Sequence, residues 1–235
     1  DRRICLASAA LGWVDVDVAG RMGVLTGLPV FVENDTNALI LGEQLFGGFG
    51  DRPDFSLVFL GDGIGSAHII GGRLHRGAHG GAGEMAHSPI AIDSHAALPC
   101  RCGNKGCLET VASLRAIRGA ALQAGLEDDL AVLSARAADG HPDALAILHR
   151  AGTALGVALA QLVQMIDPAQ LVVMLEPDLE QSVFTRVMRQ EMETHVLRRS
   201  GMQTELVLRA PEPDSFAKGA AGLAAKHYLF GESWA

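Results

Sequence analysis

Residues 99–109 read Pro-Cys-Arg-Cys-Gly-Asn-Lys-Gly-Cys-Leu-Glu, so that Cys100, Cys102 and Cys107, three of the chain's four cysteines, fall within eight residues. Shortly upstream stands Gly83-Glu84-Met85-Ala86-His87. Three thiolates and one imidazole make a closed tetrahedral ligand set, and soft sulfur with imidazole favours Zn2+. Gly103 and Gly106 allow the tight backbone reversal that brings Cys102 and Cys107 to one ion. The alternatives are disulfides or ordinary buried and free thiols, but clustered cysteines with glycines between them suit a metal better than a bridge. Cys5, far from the cluster, is expected to be a buried free thiol. A closed Cys3His set keeps no open position, so the zinc should hold a loop and not attack a substrate.

Around this loop the sequence alternates strands and helices, which defines an α/β protein. Upstream, residues 14–26 read as a short helix leading into a buried strand, Pro29 to Val32, and Asp35 or Thr36 can cap a helix from Ala38 to Phe46. That strand needs neighbours, and few candidates precede it, so the domain is expected to lack its beginning. Phe55 to Leu60 and Ser66 to Ile70 are strands joined by Gly61-Asp62-Gly63-Ile64-Gly65, and Gly71-Gly72 turns the chain into a third, Arg73 to Arg76. Beyond the cysteines, helices are expected at Glu109 to Ala124, Asp128 to Ala138, Pro142 to Met165, Glu180 to Leu197 and Ser215 to Leu229, with strands at Leu171 to Leu175 and Glu205 to Arg209.

Composition narrows the function. Among 235 residues, 49% are hydrophobic, enough for a sizeable core, while aromatics at 5% argue against a base-stacking surface. Lys and Arg number 19 against 27 Asp and Glu, a net charge of −8, so these residues by themselves are not expected to bind DNA. The longest apolar stretch, Ala151 to Ile166, is interrupted by Gly152, Gly156, Gln161 and Gln164, and the N-terminal apolar run is too short for a signal peptide. A cytoplasmic protein with no membrane partner is the expectation.

Asn34, Asp35, Glu84, His87 and Glu109 together supply carboxylates, an amide and an imidazole, the mixture that a ring of sugar hydroxyls requires. Glu84 and His87, three apart, share a face if the turn there is helical. Plainer roles exist: Asp35 as a helix cap, Glu109 as a charge in the first turn of a helix.

The runs Gly83 to His87 and Cys100 to Glu109, the segment Val32-Glu33-Asn34-Asp35-Thr36-Asn37-Ala38 and the glycines at 61, 63 and 65 resemble the signature of the ROK family of repressors, open reading frames and sugar kinases. The matches cover about Gly12 to Ala120 closely and the rest in pattern. The resemblance implies the actin-like, ribonuclease H-like fold of the sugar kinases, with two lobes around a cleft. It makes residues 1–35 the remnant of the N-terminal lobe, residues 36–213 the C-terminal lobe with its zinc loop at 83–109, and residues 214–235 a helix packing back on the first lobe. It also implies that the residues matching Asn34, Asp35, Glu84, His87 and Glu109 contact the sugar, with the zinc-bound His87 offering its other nitrogen to a hydroxyl.

In the family's kinases the residue matching Asp35 is the general base toward the sugar hydroxyl, with ATP and Mg2+ as cofactors. In its regulators it need only accept a hydrogen bond. The nucleotide side departs from the kinase pattern: the Asp-x-Gly-Gly-Thr loop is not among these residues, Gly61-Asp62-Gly63-Ile64-Gly65-Ser66-Ala67 stands for Gly-Thr-Gly-Ile-Gly-Gly-Gly, and Leu175-Glu176-Pro177 stands where a Gly-Gly turn is expected. Ala10-Leu11-Gly12-Trp13 also looks more like the regulators. The expectation is therefore the sugar-sensing part of a transcriptional regulator, dimeric or tetrameric, responding to a sugar or phosphosugar and reaching DNA through a segment not included here. The Ala-rich helices Ala151 to Met165 and Ala217 to Ala225 are compatible with close packing, within or between subunits.

Overall fold

The computed structural model describes residues 3–8, 11–90, 97–197 and 203–230; Ala10 of the lead-in, part of the 83–109 loop and the last residues of the C-terminal segment lie outside them. In chain order the elements are β1 (Ile4–Ser8), β2 (Trp13–Asp17), α1 (Val18–Thr26), α2 (Asp35–Phe46), β3 (Phe55–Leu60), β4 (Ile64–Ile70), β5 (Arg73–Leu74), a 3-10 turn (Met85–His87), α3 (Glu109–Ala112), α4 (Leu114–Gln123), α5 (Leu130–Ala138), α6 (Pro142–Ile166), β6 (Gln170–Met174), α7 (Pro177–Glu180), α8 (Val183–His195), β7 (Glu205–Arg209) and α9 (Ser215–Phe230). The chain forms two compact units, Asp1–Asp51 with Pro213–Ala235, and Arg52–Glu212. The division falls after residue 51 and not after residue 35 because α2 packs on α9.

In the first unit β1 and β2 form an antiparallel ribbon with Cys5 opposite Val16. Here the sequence reading is corrected. Val14-Asp15-Val16-Asp17 alternates with period two and is a strand; the helix starts only at Val18, where the Asp17 carboxylate accepts the Gly20 N–H at 2.8 Å. Pro29 to Val32 is no strand: the segment takes no regular structure, no described strand pairs with it, and Phe31 instead meets the His227 ring edge-on at 4.5 Å. Cys5 is half-buried. Leu6, Val14, Val24 and Leu25 are exposed.

In the second unit five strands run in the order β5-β4-β3-β6-β7, antiparallel from β5 to β3 and parallel from β3 to β7. β6 (QLVVM) is buried throughout, as an apolar run inside a parallel sheet should be. Val58, Leu60, Leu171 and Val173 face a core shared with α4, α5, α6 and α8. α6 is long and apolar enough, by length and composition, to cross a membrane, but more than half of that stretch, 56%, is buried inside the protein, as in a core helix. Its glycines have a packing role. A Cβ on Gly152 or Gly156 would meet the Phe184 or Met188 carbonyl of α8 at 2.5 Å, so these positions let the two backbones approach. The Ala-rich stretch of α6 thus belongs to the core of this unit.

The helix expected over Glu109 to Ala124 is broken at Ser113. Its backbone is extended, its hydroxyl accepts the Ala116 N–H at 3.1 Å, and the Leu114 N–H is drawn to the Gly61 carbonyl at 2.9 Å. Similarly, the helix expected from Glu180 is two helices, α7 opening at Pro177 and α8 following Ser182, whose hydroxyl donates to the Leu179 carbonyl.

Candidate functional site

Backbone hydrogen bonds shape the loop that carries the three cysteines. Cys100 N–H reaches Asn104 O at 2.8 Å, Gly103 N–H reaches Cys100 O at 3.0 Å, and Gly106 N–H reaches Leu98 O at 2.8 Å, closing a tight reversal around Cys102. Gly103 and Gly106 hold φ of +94° and +72°, the left-handed backbone that glycine adopts without penalty. Ile90 N–H to Gly106 O and Leu108 N–H to Ser88 O then stitch this reversal to the segment following His87.

The side chains converge. His87 Nδ1 lies 3.6 Å from Cys100 Sγ, Cys102 Sγ lies 3.8 Å from Cys107 Sγ, and the four ligand atoms all fall within 4.8 Å of one another. Zinc arms of about 2.3 Å to sulfur and about 2.0 Å to nitrogen give tetrahedral edges of about 3.8 Å and about 3.6 Å. The donor set fits. A sulfur separation of 3.8 Å is no disulfide, which needs about 2.05 Å. Burial pushes the Cys107 thiol up to about 12, and its bonds to Cys102 and Cys100 add to that, while the Asn104 backbone draws the exposed Cys102 thiol down. A divalent cation removes this conflict by favouring the thiolate at both.

Because Nδ1 faces the thiols, His87 turns Nε2 toward Glu84, 3.8 Å away, across the short helical turn that the spacing suggested. The turn is anchored by Ser66, whose hydroxyl donates to the Gly83 carbonyl at 2.7 Å. Glu109 opens α3 and is nearly buried, with Arg101 donating twice to its Oε1, at 3.0 and 3.3 Å. Arg101 was not picked out from the sequence. Its signal was its place between two ligands, one loop away from a carboxylate.

In the first unit, the cap of α2 is Asn34 and neither Asp35 nor Thr36: its side-chain oxygen accepts the Asn37 N–H at 3.1 Å and leaves its amide NH2 as donor. Asp35 is the first helical residue, exposed, with Oδ1 taken by the Thr36 N–H at 2.7 Å.

Between β3 and β4, Gly61 and Gly63 close a turn, N–H to O at 2.9 Å. Asp62 projects from it, pairing with Arg118 at 3.3 Å, and Arg115 donates to the Asp62 carbonyl. β6 runs into buried Leu175, then Glu176, and Pro177 starts α7 at once.

A sheet of antiparallel then parallel strands, with helices on its core face and a Cys3His loop following its hairpin, defines the actin-like α/β fold of the sugar-kinase class. The match of residues 1–227 to the family model described as "ROK family" places the chain in that family. A ROK family glucokinase from Streptomyces griseus, in complex with glucose and AMPPNP, superposes with a TM-score of 0.80 at 27% identity over 94% of this chain and 76% of that one. A ROK family transcriptional regulator, homolog of the E. coli MLC protein, gives 0.79 at 30% identity, covering 97% of this chain and 59% of that chain. The xylose repressor of Bacillus subtilis is 29% identical over 92% of this chain and 56% of its own length. The chain spans about half the length of the curated relatives it matches.

Proposed function

We propose that these residues form the sugar-sensing part of a ROK-family transcriptional regulator. Asn34, Asp35, Glu84, His87 and Glu109 are assigned as sugar contacts, with zinc held by His87, Cys100, Cys102 and Cys107. The zinc's contribution is to fix the tautomer and aim of His87, whose Nε2 stays available beside Glu84. The ligand is a sugar or phosphosugar, the setting is the cytoplasm, and operator contact belongs to a segment outside residues 1–235 of a dimer or tetramer.

The observation that carries the regulator reading is the end of β6. Where close backbone approach to a nucleotide calls for glycine, Glu176 adds a negative charge and Pro177 fixes the backbone into a helix. Asp62 adds a second carboxylate on the glycine turn. A kinase remains the second reading, favoured by the likeness to the Streptomyces glucokinase and by Asp35 Oδ2, which among the described residues takes no hydrogen bond and is exposed to act as a base.

Calorimetry of the intact protein with glucose, xylose, N-acetylglucosamine and glucose 6-phosphate, paired with an assay of ATP-dependent phosphorylation of each, separates the two. Binding without turnover is expected. Turnover that disappears in Asp35→Asn would establish the kinase. Binding of none of the four would remove the sugar assignment.

A further inference from the structure

We infer that Arg101 is a positioning residue of the sugar site: it fixes the Glu109 carboxylate from within the metal loop. The inference rests on the sugar assignment above and extends it to a residue that contacts no metal and is given no sugar.

Arg101 lies between two ligands, Cys100 and Cys102, so metal at those thiols fixes the backbone on both sides of it. Its Nη2 and Nε both donate to Glu109 Oε1, at 3.0 and 3.3 Å. Among the described residues Oε2 takes no hydrogen bond, and a Cβ on Gly63 would meet it at 3.0 Å and Arg101 Nη2 at 3.6 Å, so the glycine turn lies against both members of the pair. The carboxylate is therefore fixed through one oxygen by a guanidinium from the cysteine loop, beside the bare Cα of the glycine turn, with its other oxygen left to accept. The side chain of Glu109 is 12% exposed and that of Arg101 34%, so solvent only partly screens the pair. A charged, two-point donor on one oxygen sets the plane of the carboxylate, which a lysine ammonium does less well. Arg101 carries the order of the metal loop to a carboxylate that is not a ligand.

The test uses the intact, metal-loaded protein and the variants Arg101→Ala, Arg101→Lys, Glu109→Gln and Arg101→Ala/Glu109→Gln. Arg101→Ala should keep one metal per chain and, with Co2+ in place of zinc, leave the ligand-field absorption of the Cys3His set unchanged. Affinity for whichever of glucose, xylose, N-acetylglucosamine or glucose 6-phosphate binds the wild type should fall about tenfold, recover in part in Arg101→Lys, and change less than twofold when Arg101→Ala is added to Glu109→Gln. Without sugar, the thermal midpoints of the same four proteins should be non-additive. Additive midpoints, a changed cobalt spectrum, or an equal affinity loss in both backgrounds would overturn the role of Arg101. If the wild type binds none of the sugars, the sugar assignment falls, and the sugar-free thermal cycle alone decides whether Arg101 positions Glu109.

Discussion

The cysteine loop and the glycine turn sit in the same unit and display their side chains in opposite ways. In the loop each chemically active group meets a partner brought from another point of the chain: His87 meets Cys100, Cys102 meets Cys107, and Arg101 meets Glu109. At the turn the backbone is closed, with Gly61 bonded to Gly63 and to Leu114, and the group it displays is a carboxylate paired to a surface arginine. The backbone of the turn does not depend on what it displays, because it is fixed by hydrogen bonding to α4 and by strand register.

The largest effect should separate the two regions outright. Cys107→Ser removes the most deeply buried ligand, 1% exposed, and should abolish metal binding and cost several kcal/mol, on the order of what structural zinc returns to small folds. Asp62→Ala, on the exposed turn, should cost no more than about 0.5 kcal/mol. Metal content and denaturant unfolding of both variants check this; equal stability losses would break the contrast.

A second effect lies in β4, the strand leaving the glycine turn. His68 is buried, within 2.8 Å of the Ser56 hydroxyl across the β3–β4 pair, and burial, then the nearby His75, lowers its pKa to about 4. A histidine depressed in the folded state binds its proton more readily when unfolded. Its contribution is therefore complete above the unfolded pKa near 6.5 and is lost as pH falls toward 4, about 3 kcal/mol in all. Acid would also release a metal held by the loop, so the measurement is the pH dependence of unfolding for His68→Gln against wild type at equal metal content. The variant should show a flatter slope between those two values; an unchanged slope would remove His68 as the source.

The two regions were not equally legible in the sequence. Cys100, Cys102, Cys107 and His87 could be grouped because thiols cluster along the chain and glycines mark the reversals. Both strands of the β3–β4 hairpin, together with β6 and β7, followed from apolar runs bounded by turns. The first unit was harder. Asp17 caps α1, and the alternating Val14 to Asp17 was absorbed into that helix although its period marks a strand. Pro29 to Val32 has strand composition without a partner, and composition does not supply hydrogen bonds. Ser113 and Arg101 escaped notice for a shared reason: their roles depend on Gly61 through Leu114, and on Glu109, contacts that no local pattern displays.

The smallest effect is the most direct probe of the glycine turn. The Asp62 side chain is 74% exposed and shares its charge with Arg118, so its repulsion of a triphosphate is screened, and exposed pairs of this kind are worth about 0.2–1 kcal/mol. Asp62→Asn should therefore tighten MgATP binding only about threefold, partly by releasing Arg118 toward phosphate, and should leave sugar affinity unchanged. Glu176→Gln removes the other carboxylate but leaves Pro177 and the start of α7 in place, so its gain should be no larger. If either change instead produced tight MgATP binding and sugar phosphorylation, charge alone would have silenced the nucleotide side. If both together remain weak, the barrier is backbone: Pro177 holds the chain in a helix where a nucleotide needs glycine, and electrostatic repair cannot reopen it.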